Sequence, residues 1–366
     1  MPVAVRIFHP EPGPHARPLE RFLADERGKV AERHARGFAA AGADDVSIVS
    51  GPPEDRPFGE RLRRLVRRER PSGLVVLGSG AIPLATAADR RAFVAAASAR
   101  SPTALANNRY SADVIALACP EVLADVPDLP TDNALPRWLD EVAQIRVDDL
   151  RGRWRLQVDL DGPLECLLVG GRAAAGRLGR AAVCVDVLPD RIAAVRAVAA
   201  DPRAELIVAG RSSAASLAWL EGAAAARIRA LVEERGLRAA SSGALAPGTR
   251  AVDRPPAVDR PPASVLGLLL DRDGPSAIAA VLGRLGDAAI VDSRVLLAHR
   301  LGPDERRWPP AEDRFASDLL EPGRVRDPWL RQFTEAARSA PIPVLLGGHS
   351  LVGPGVRLVV RPARPS

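Results

Sequence analysis

Short apolar runs alternate with longer amphipathic stretches through the first half of the chain. Val3–Ile7 predicts a strand, Leu19–Ala41 a helix, Asp45–Val49 a strand, Phe58–Glu69 a helix, Leu74–Leu77 a strand and Ala87–Ala97 a helix. Such alternation predicts a parallel sheet with helices on both faces. The strands are continuous apolar runs, Leu74-Val75-Val76-Leu77 among them, as burial on both faces requires. Thr103–Ala106 and Val114–Ala118 stand close together, which predicts a mixed or antiparallel element around Ala106-Asn107-Asn108-Arg109-Tyr110.

Pro120–Leu135 is proline-rich and acidic, a loop leading to a helix at Arg137–Ile145. Trp154–Val158 predicts a strand and Leu164–Val169 a short helix. At Gly170–Gly179 small residues replace bulky ones, and a domain boundary is expected there, giving domains of residues 1–170 and 171–366. The second half restarts the alternation, with a helix at Ile192–Ala200 and a strand at Glu205–Val208. Leu217, Leu220, Ala224, Ile228 and Leu231 recur at three- and four-residue spacing and predict one long helix over Ser213–Glu234. Val265–Leu270, Ala288–Val291, Val344–Leu346 and Val356–Val360 predict further strands. Ala251–Ala263 repeats Val-Asp-Arg-Pro-Pro in tandem; proline at that density denies a helix or central strand, so a disordered surface insertion is expected.

The chain has 366 residues, and 47% of them are apolar, enough for full cores in two domains of roughly 100–200 residues each. No apolar run of about 18 residues suggests a membrane span. The first residues read as a strand rather than a secretion signal, so a cytoplasmic protein is expected. The net charge is +6, carried almost wholly by arginine, since Lys29 is the only lysine. The densest basic cluster, Arg61 to Arg70, has helical spacing and reads as a solvated helix face, and aromatics at 4% are too sparse for base stacking. No nucleic-acid partner is expected. Cys119, Cys166 and Cys184 are widely spaced in apolar runs, as buried free thiols are.

In open parallel sheets ligands bind beyond the carboxyl ends of the strands, where helix N-termini favour anions. The segments after the predicted strands are Gly78-Ser79-Gly80, Gly210-Arg211-Ser212-Ser213, Asp271-Arg272-Asp273-Gly274, Asp292-Ser293-Arg294 and Gly347-Gly348-His349-Ser350. Arg211 and Arg294 are candidate anion clamps, with Ser212, Ser213 and Ser350 as hydroxyl donors. His349 is a candidate general base, oriented by Asp292. His34 falls on an apolar helix face and reads as a packing residue, and His9 and His15 flank a proline-rich loop. Asp159 and Asp161 share a face if the strand before them continues, and such a pair holds Mg²⁺. Metal spacings of the HExxH or CxxC kind, the P-loop, GxGxxG and GxSxG are all absent from the sequence.

Three segments together carry a family resemblance. Gly28-Lys29 leads into a helix and the strand ending Val46-Ser47-Ile48-Val49. Gly73–Thr86 reads as a strand followed by a loop with Pro83-Leu84. Val158-Asp159-Leu160-Asp161-Gly162-Pro163-Leu164-Glu165 comes last. In order and texture residues 29–170 resemble the nucleotidyltransferase superfamily with a GT-A-like fold, the group of the molybdenum-cofactor and phospholactate guanylyltransferases. The resemblance implies a mixed sheet with helices on both faces, a nucleotide or phosphorylated small molecule as ligand, Lys29 on a phosphate, and Asp159 or Asp161 on Mg²⁺. The sequence departs from the family in two places: His9–Pro18 stands where the glycine-rich nucleotide loop is expected, and Ala81 where the metal aspartate is. Three functions follow as expectations: a divergent nucleotidyltransferase, a non-catalytic binding or regulatory protein on a degenerate transferase fold, or an enzyme whose active site lies in the second domain.

Overall fold

The computed structural model describes residues 1–52, 56–129, 132–180, 187–234 and 263–360. The fold is α/β and divides into two compact units. Among the described residues the first unit holds Met1–Ala16 and Ala24–Leu160. The second holds Arg17–Leu23 with the described parts of Asp161–Ala240 and Pro255–Ser366. The repeat within Ala251–Ala263 lies, up to residue 262, outside the described residues.

The first unit is built on strands β1 (Val3–Pro10), β2 (Asp45–Gly51), β3 (Gly73–Gly78), β4 (Ala104–Ala106), β5 (Val114–Leu117) and β6 (Val147–Asp149). Their order is β2-β1-β3-β5-β4-β6. β1 runs parallel to β2 and β3, β5 is antiparallel to β3 and β4, and β6 is parallel to β4. The sheet is therefore mixed. Side chains alternate across it as the strand period demands. Val3, Val5, Ile7, Val75, Leu77, Val114 and Ala116 pack on one face with Phe38, Phe93, Val94 and Ala97. Ala4, Leu74, Val76, Ile115 and Leu117 face the other side, with Leu62, Leu65, Val66, Leu135, Trp138 and Leu139. In the helix contributing the second Leu/Val set, Phe58–Glu69, Arg64 meets Glu60 at 3.0 Å and Arg63 meets Asp128. The helix Ala87–Ala97 starts at a capping box of Thr86 and Asp89.

The second unit carries a parallel sheet in the order β10-β9-β7-β8: β7 (Glu205–Gly210), β8 (Arg227–Val232), β9 (Ala288–Asp292) and β10 (Val344–Gly347). From β7 the chain moves to β8 on one side and then to β9 on the other. The sequence direction therefore reverses between β7 and β9.

Four expectations fail. Ser213–Glu234 is not one helix. The helix Ala214–Ala223 stops where Ala224 turns extended, and Arg227–Val232 becomes the edge strand β8. Val265–Asp273 is a helix, not a strand: Ser264 Oγ accepts from Gly267 N at 3.1 Å as its N-cap, and Leu266 and Leu270 are buried while Val265 and Leu268 are exposed. An apolar run that short fits either period, and the cap decides it. Val356–Val359 is one helical turn rather than a strand. Trp154–Gln157 is a 3₁₀ turn, because Asn107 Nδ2 donates to Leu156 O (2.8 Å) where a neighbouring strand would have to. The helix expected over Arg137–Ile145 is Leu135–Glu141, and Gln144 beyond it takes a left-handed backbone at φ 56°. Cys119 and Cys166 are both buried; Cys184 lies outside the described residues.

Candidate functional site

The first unit opens a cleft of about 360 Å³ at one edge of its sheet. Parallel pairing brings the ends of β1 and β3 there, with Phe8 opposite Gly78. Because β5 is antiparallel to β3, its beginning reaches the same edge, with Val114 opposite Leu77. Phe8, Gly78, Ser79, Gly80, Asp113 and Val114 consequently line one space, joined by Arg27, Arg56, Arg61, Asp132 and Asp159. Arg61 lies over the Phe8 ring, 4.3 Å from its centroid, and Phe8 meets Phe58 edge to face. Arg27 Nε donates to Leu160 O (2.8 Å) and lies against Gly80, where Asp159 Oδ1 also approaches. Asp113 is clamped by Asn107, which donates to its carboxylate (2.9 Å) and accepts from its N–H (3.0 Å).

The loop after β3 is held under strain. Ile82 is fully buried at φ 41°, a conformation that a β-branched residue rarely adopts. Two residues of the helix Pro18–Ala40 pin the loop. His34 Nε2 donates to Ala81 O (2.8 Å), and Arg33 donates to Pro83 O (2.8 Å). Burial pushes the His34 imidazole down to about 3, so it is neutral, with Nδ1 left to accept from Arg90. At the mouth of the same loop His9 Nδ1 and Ser79 Oγ are 3.1 Å apart. Burial and the Arg27 charge hold His9 below its ordinary range.

The residues singled out for the first half are distributed differently from expectation. Lys29 does not line the cleft; its Nζ meets Glu26 at 2.6 Å, and its side chain is half exposed. Asp159 lines the cleft, with Oδ1 accepting from Leu160 N (2.8 Å), whereas Asp161 belongs to the second unit and is not among the lining residues. The shared-face premise fails because the turn Trp154–Gln157 replaces the strand that would have set their alternation. The donor set does not suit a resident Mg²⁺: among the described residues no three His, Cys, Asp or Glu groups are placed to hold a metal, and Ala81 offers no ligand.

In the second unit the reversal between β7 and β9 gathers much of the remaining set. Gly210 ends β7 at φ 127°, and a Cβ there would overlap Asp292. Arg211 forks onto Asp292, with Nε donating to Oδ2 (2.6 Å) and Nη2 to Oδ1 (3.2 Å). Asp292 also caps the helix Ser293–Leu301 by accepting from Arg294 N (3.1 Å). Burial alone would raise the Asp292 carboxyl, but Arg211, Arg294 and His349 hold it below the usual range. Arg294 forks onto Asp318 at 2.7 and 2.5 Å. Its own burial works against the charge, and Asp318 overcomes that effect, so the guanidinium stays ionised. His349 Nδ1 donates to Arg211 O (2.8 Å), so the imidazole is oriented by a backbone carbonyl and not by Asp292. Burial and Arg211 lower it, leaving it neutral near pH 7. Ser213 Oγ caps the helix Ala214–Ala223 by accepting from Ser216 N, and Ser350 is buried in the turn His349–Val352. Ser212 Oγ is buried and has no hydrogen-bond partner among the described residues. Both arginine forks are filled by carboxylates of the same unit, so neither presents an open seat for an anion.

In the sequence Gly78-Ser79-Gly80 stands as a strand-end loop and Arg61 on a helix face, but no spacing pairs Ser79 with His9 or brings Arg27 and Asp113 to the cleft. The usable signal is register: when β1 and β3 are adjacent and parallel, the residues next after their last matched pair, His9 and Ser79, become neighbours. No protein-family model matches the sequence, and a search of curated proteins finds no matching relative.

Proposed function

We propose that this is a divergent nucleotidyltransferase-like protein whose first-unit cleft binds a nucleotide or another phosphorylated small molecule. The observation that carries this reading is that Arg27, Arg56 and Arg61 line one cleft at a sheet edge together with the Gly78-Ser79-Gly80 loop. Guanidinium groups match phosphate oxygens in fork geometry, and glycines let a ligand approach the backbone. A volume of about 360 Å³ falls at the small end of ligand sites. The mixed sheet with helices on both faces supports the family resemblance. The donor set argues against a metal held by the protein, so the reading assigns phosphate recognition to arginine.

The test is calorimetric titration of the whole chain with nucleoside mono-, di- and triphosphates and sugar phosphates, with and without Mg²⁺. Binding is expected for at least one, and Arg27→Ala or Arg61→Ala should weaken it about 10- to 100-fold, the worth of one charge-assisted hydrogen bond. Saturation that neither substitution alters would move the ligand out of this cleft, and no binding of any phosphorylated compound would end the reading.

A further inference from the structure

Resting on that reading of the cleft, we propose that Ser79 is a nucleophile and His9 its general base, and that the protein cleaves a phosphoester or phosphoanhydride bond of the bound compound through a covalent seryl intermediate. Ser79 Oγ lies 3.1 Å from His9 Nδ1, within the reach a base needs for the proton it removes. His9 lies near the end of β1 and Ser79 directly follows β3, and the parallel register that sets Phe8 opposite Gly78 brings them side by side. The pairing extends one step beyond the strands, since Ser79 N donates to Phe8 O at 2.9 Å. Ser79 lines the cleft and is otherwise buried. Its backbone is anchored to β1 at the start of the turn, which positions the nucleophile.

The surroundings suit this role. The strained Ile82 and the clamps on Ala81 O and Pro83 O hold the loop in one conformation, and strain of this kind clusters at reactive sites. Arg27 lies against Gly80, next to Ser79, and helps to keep His9 unprotonated and so able to accept a proton. The arginines favour phosphorus over a carboxyl ester as the reacting centre, because they stabilise the charge on the non-bridging oxygens in the transition state.

The step balances within these groups. Ser79 Oγ forms a bond to phosphorus as the bond from phosphorus to the leaving oxygen breaks. The serine proton passes to His9 Nδ1 and from there to the leaving oxygen. Water then attacks phosphorus, gives a proton to His9 Nδ1, and the Oγ–phosphorus bond breaks as Ser79 regains that proton. The sum is hydrolysis by one water.

The experiment uses the p-nitrophenyl ester of thymidine 5′-monophosphate as substrate and thymidine 5′-monophosphate itself as the unreactive ligand. The whole chain should release a burst of p-nitrophenolate and gain the mass of one thymidylyl group on the peptide containing Ser79. Ser79→Ala, checked for an unchanged melting temperature, should lose both. His9→Gln should slow the burst at least about 100-fold, the usual worth of a general base. A thymidylyl group on another residue, or full turnover by Ser79→Ala, overturns the proposal. If thymidine 5′-monophosphate binds but no p-nitrophenolate appears, the covalent step is wrong and the binding reading stands. If neither probe binds while another nucleotide does, the same assay run on that nucleotide's p-nitrophenyl ester decides, and absence of an adduct there overturns it.

Discussion

Burying a carboxyl group away from water penalises its charged form, and Glu165 carries that penalty in full. It is 4% exposed at the start of the helical segment Pro163–Arg180, which breaks at Gly171 (φ 54°, ψ -138°). Burial, then the neighbouring charges of Asp161 and Asp318, push its carboxyl well above the ordinary value, and Arg294 only partly offsets them. The folded state therefore takes up a proton that the unfolded chain releases from about pH 4.5 upward. Where the native protein binds more protons than the unfolded chain, stability falls as pH rises, by up to ~1.4 kcal/mol per unit for one group. The Glu165 contribution is thus complete in acid and is lost progressively above its unfolded value. Glu165→Gln keeps the shape and removes the titration. Urea midpoints taken from pH 5 to pH 8 should fall more steeply for the natural protein than for the variant, and parallel profiles would show that Glu165 ionises freely in the fold.

At the scale of elements, Gly210 is the joint on which the second sheet's edge turns. Its φ of 127° is one that side chains avoid, and an added methyl would meet Asp292, the carboxylate that seats Arg211 and caps the next helix. Gly210→Ala should cost at least about 2 kcal/mol, combining backbone strain with overpacking. Equilibrium denaturation measures it, and a loss below about 0.5 kcal/mol would mean that the turn relaxes freely. Elements with a cap or a clear period were legible in the chain: Phe58–Glu69 and Ala87–Ala97 fall where the sequence predicts them. Arg227–Val232 was not legible, because Ile228 and Leu231 continue a helical spacing and only pairing with β7 makes a strand of them. The convergence of Arg211, Asp292 and His349 followed from the strand-end rule, but their bonding did not. That His349 answers to the Arg211 carbonyl is a matter of ångströms, which spacing does not encode. Nor does it encode His9 beside Ser79, which depends on which strands are neighbours.

At the scale of the whole molecule a net charge of +6 coexists with buried and half-buried arginines that meet carboxylates. Arg6 meets Asp45 and Glu69, Arg153 meets Asp89, and Arg211 and Arg294 meet Asp292 and Asp318. Paired charges have few counterions to release from a polyanion, so the protein should pass unretained through immobilised heparin or single-stranded DNA at about 0.15 M salt. Retention there would reveal a basic face that pairing does not neutralise. No described helix is long and apolar enough to cross a membrane. The strand order of the first sheet also sets a timetable for its assembly. β4 leaves the ribosome before β5 yet joins β1–β3 through it, since β5 lies between β3 and β4. The parallel trio β2-β1-β3 can form once the chain has emerged past Gly78, whereas β4 must wait for β5 to dock on β3, and β6 for β4. A nascent chain arrested between residues 106 and 114 would therefore carry a half-sheet with an open edge along β3, the stage at which this protein is most exposed to mispairing.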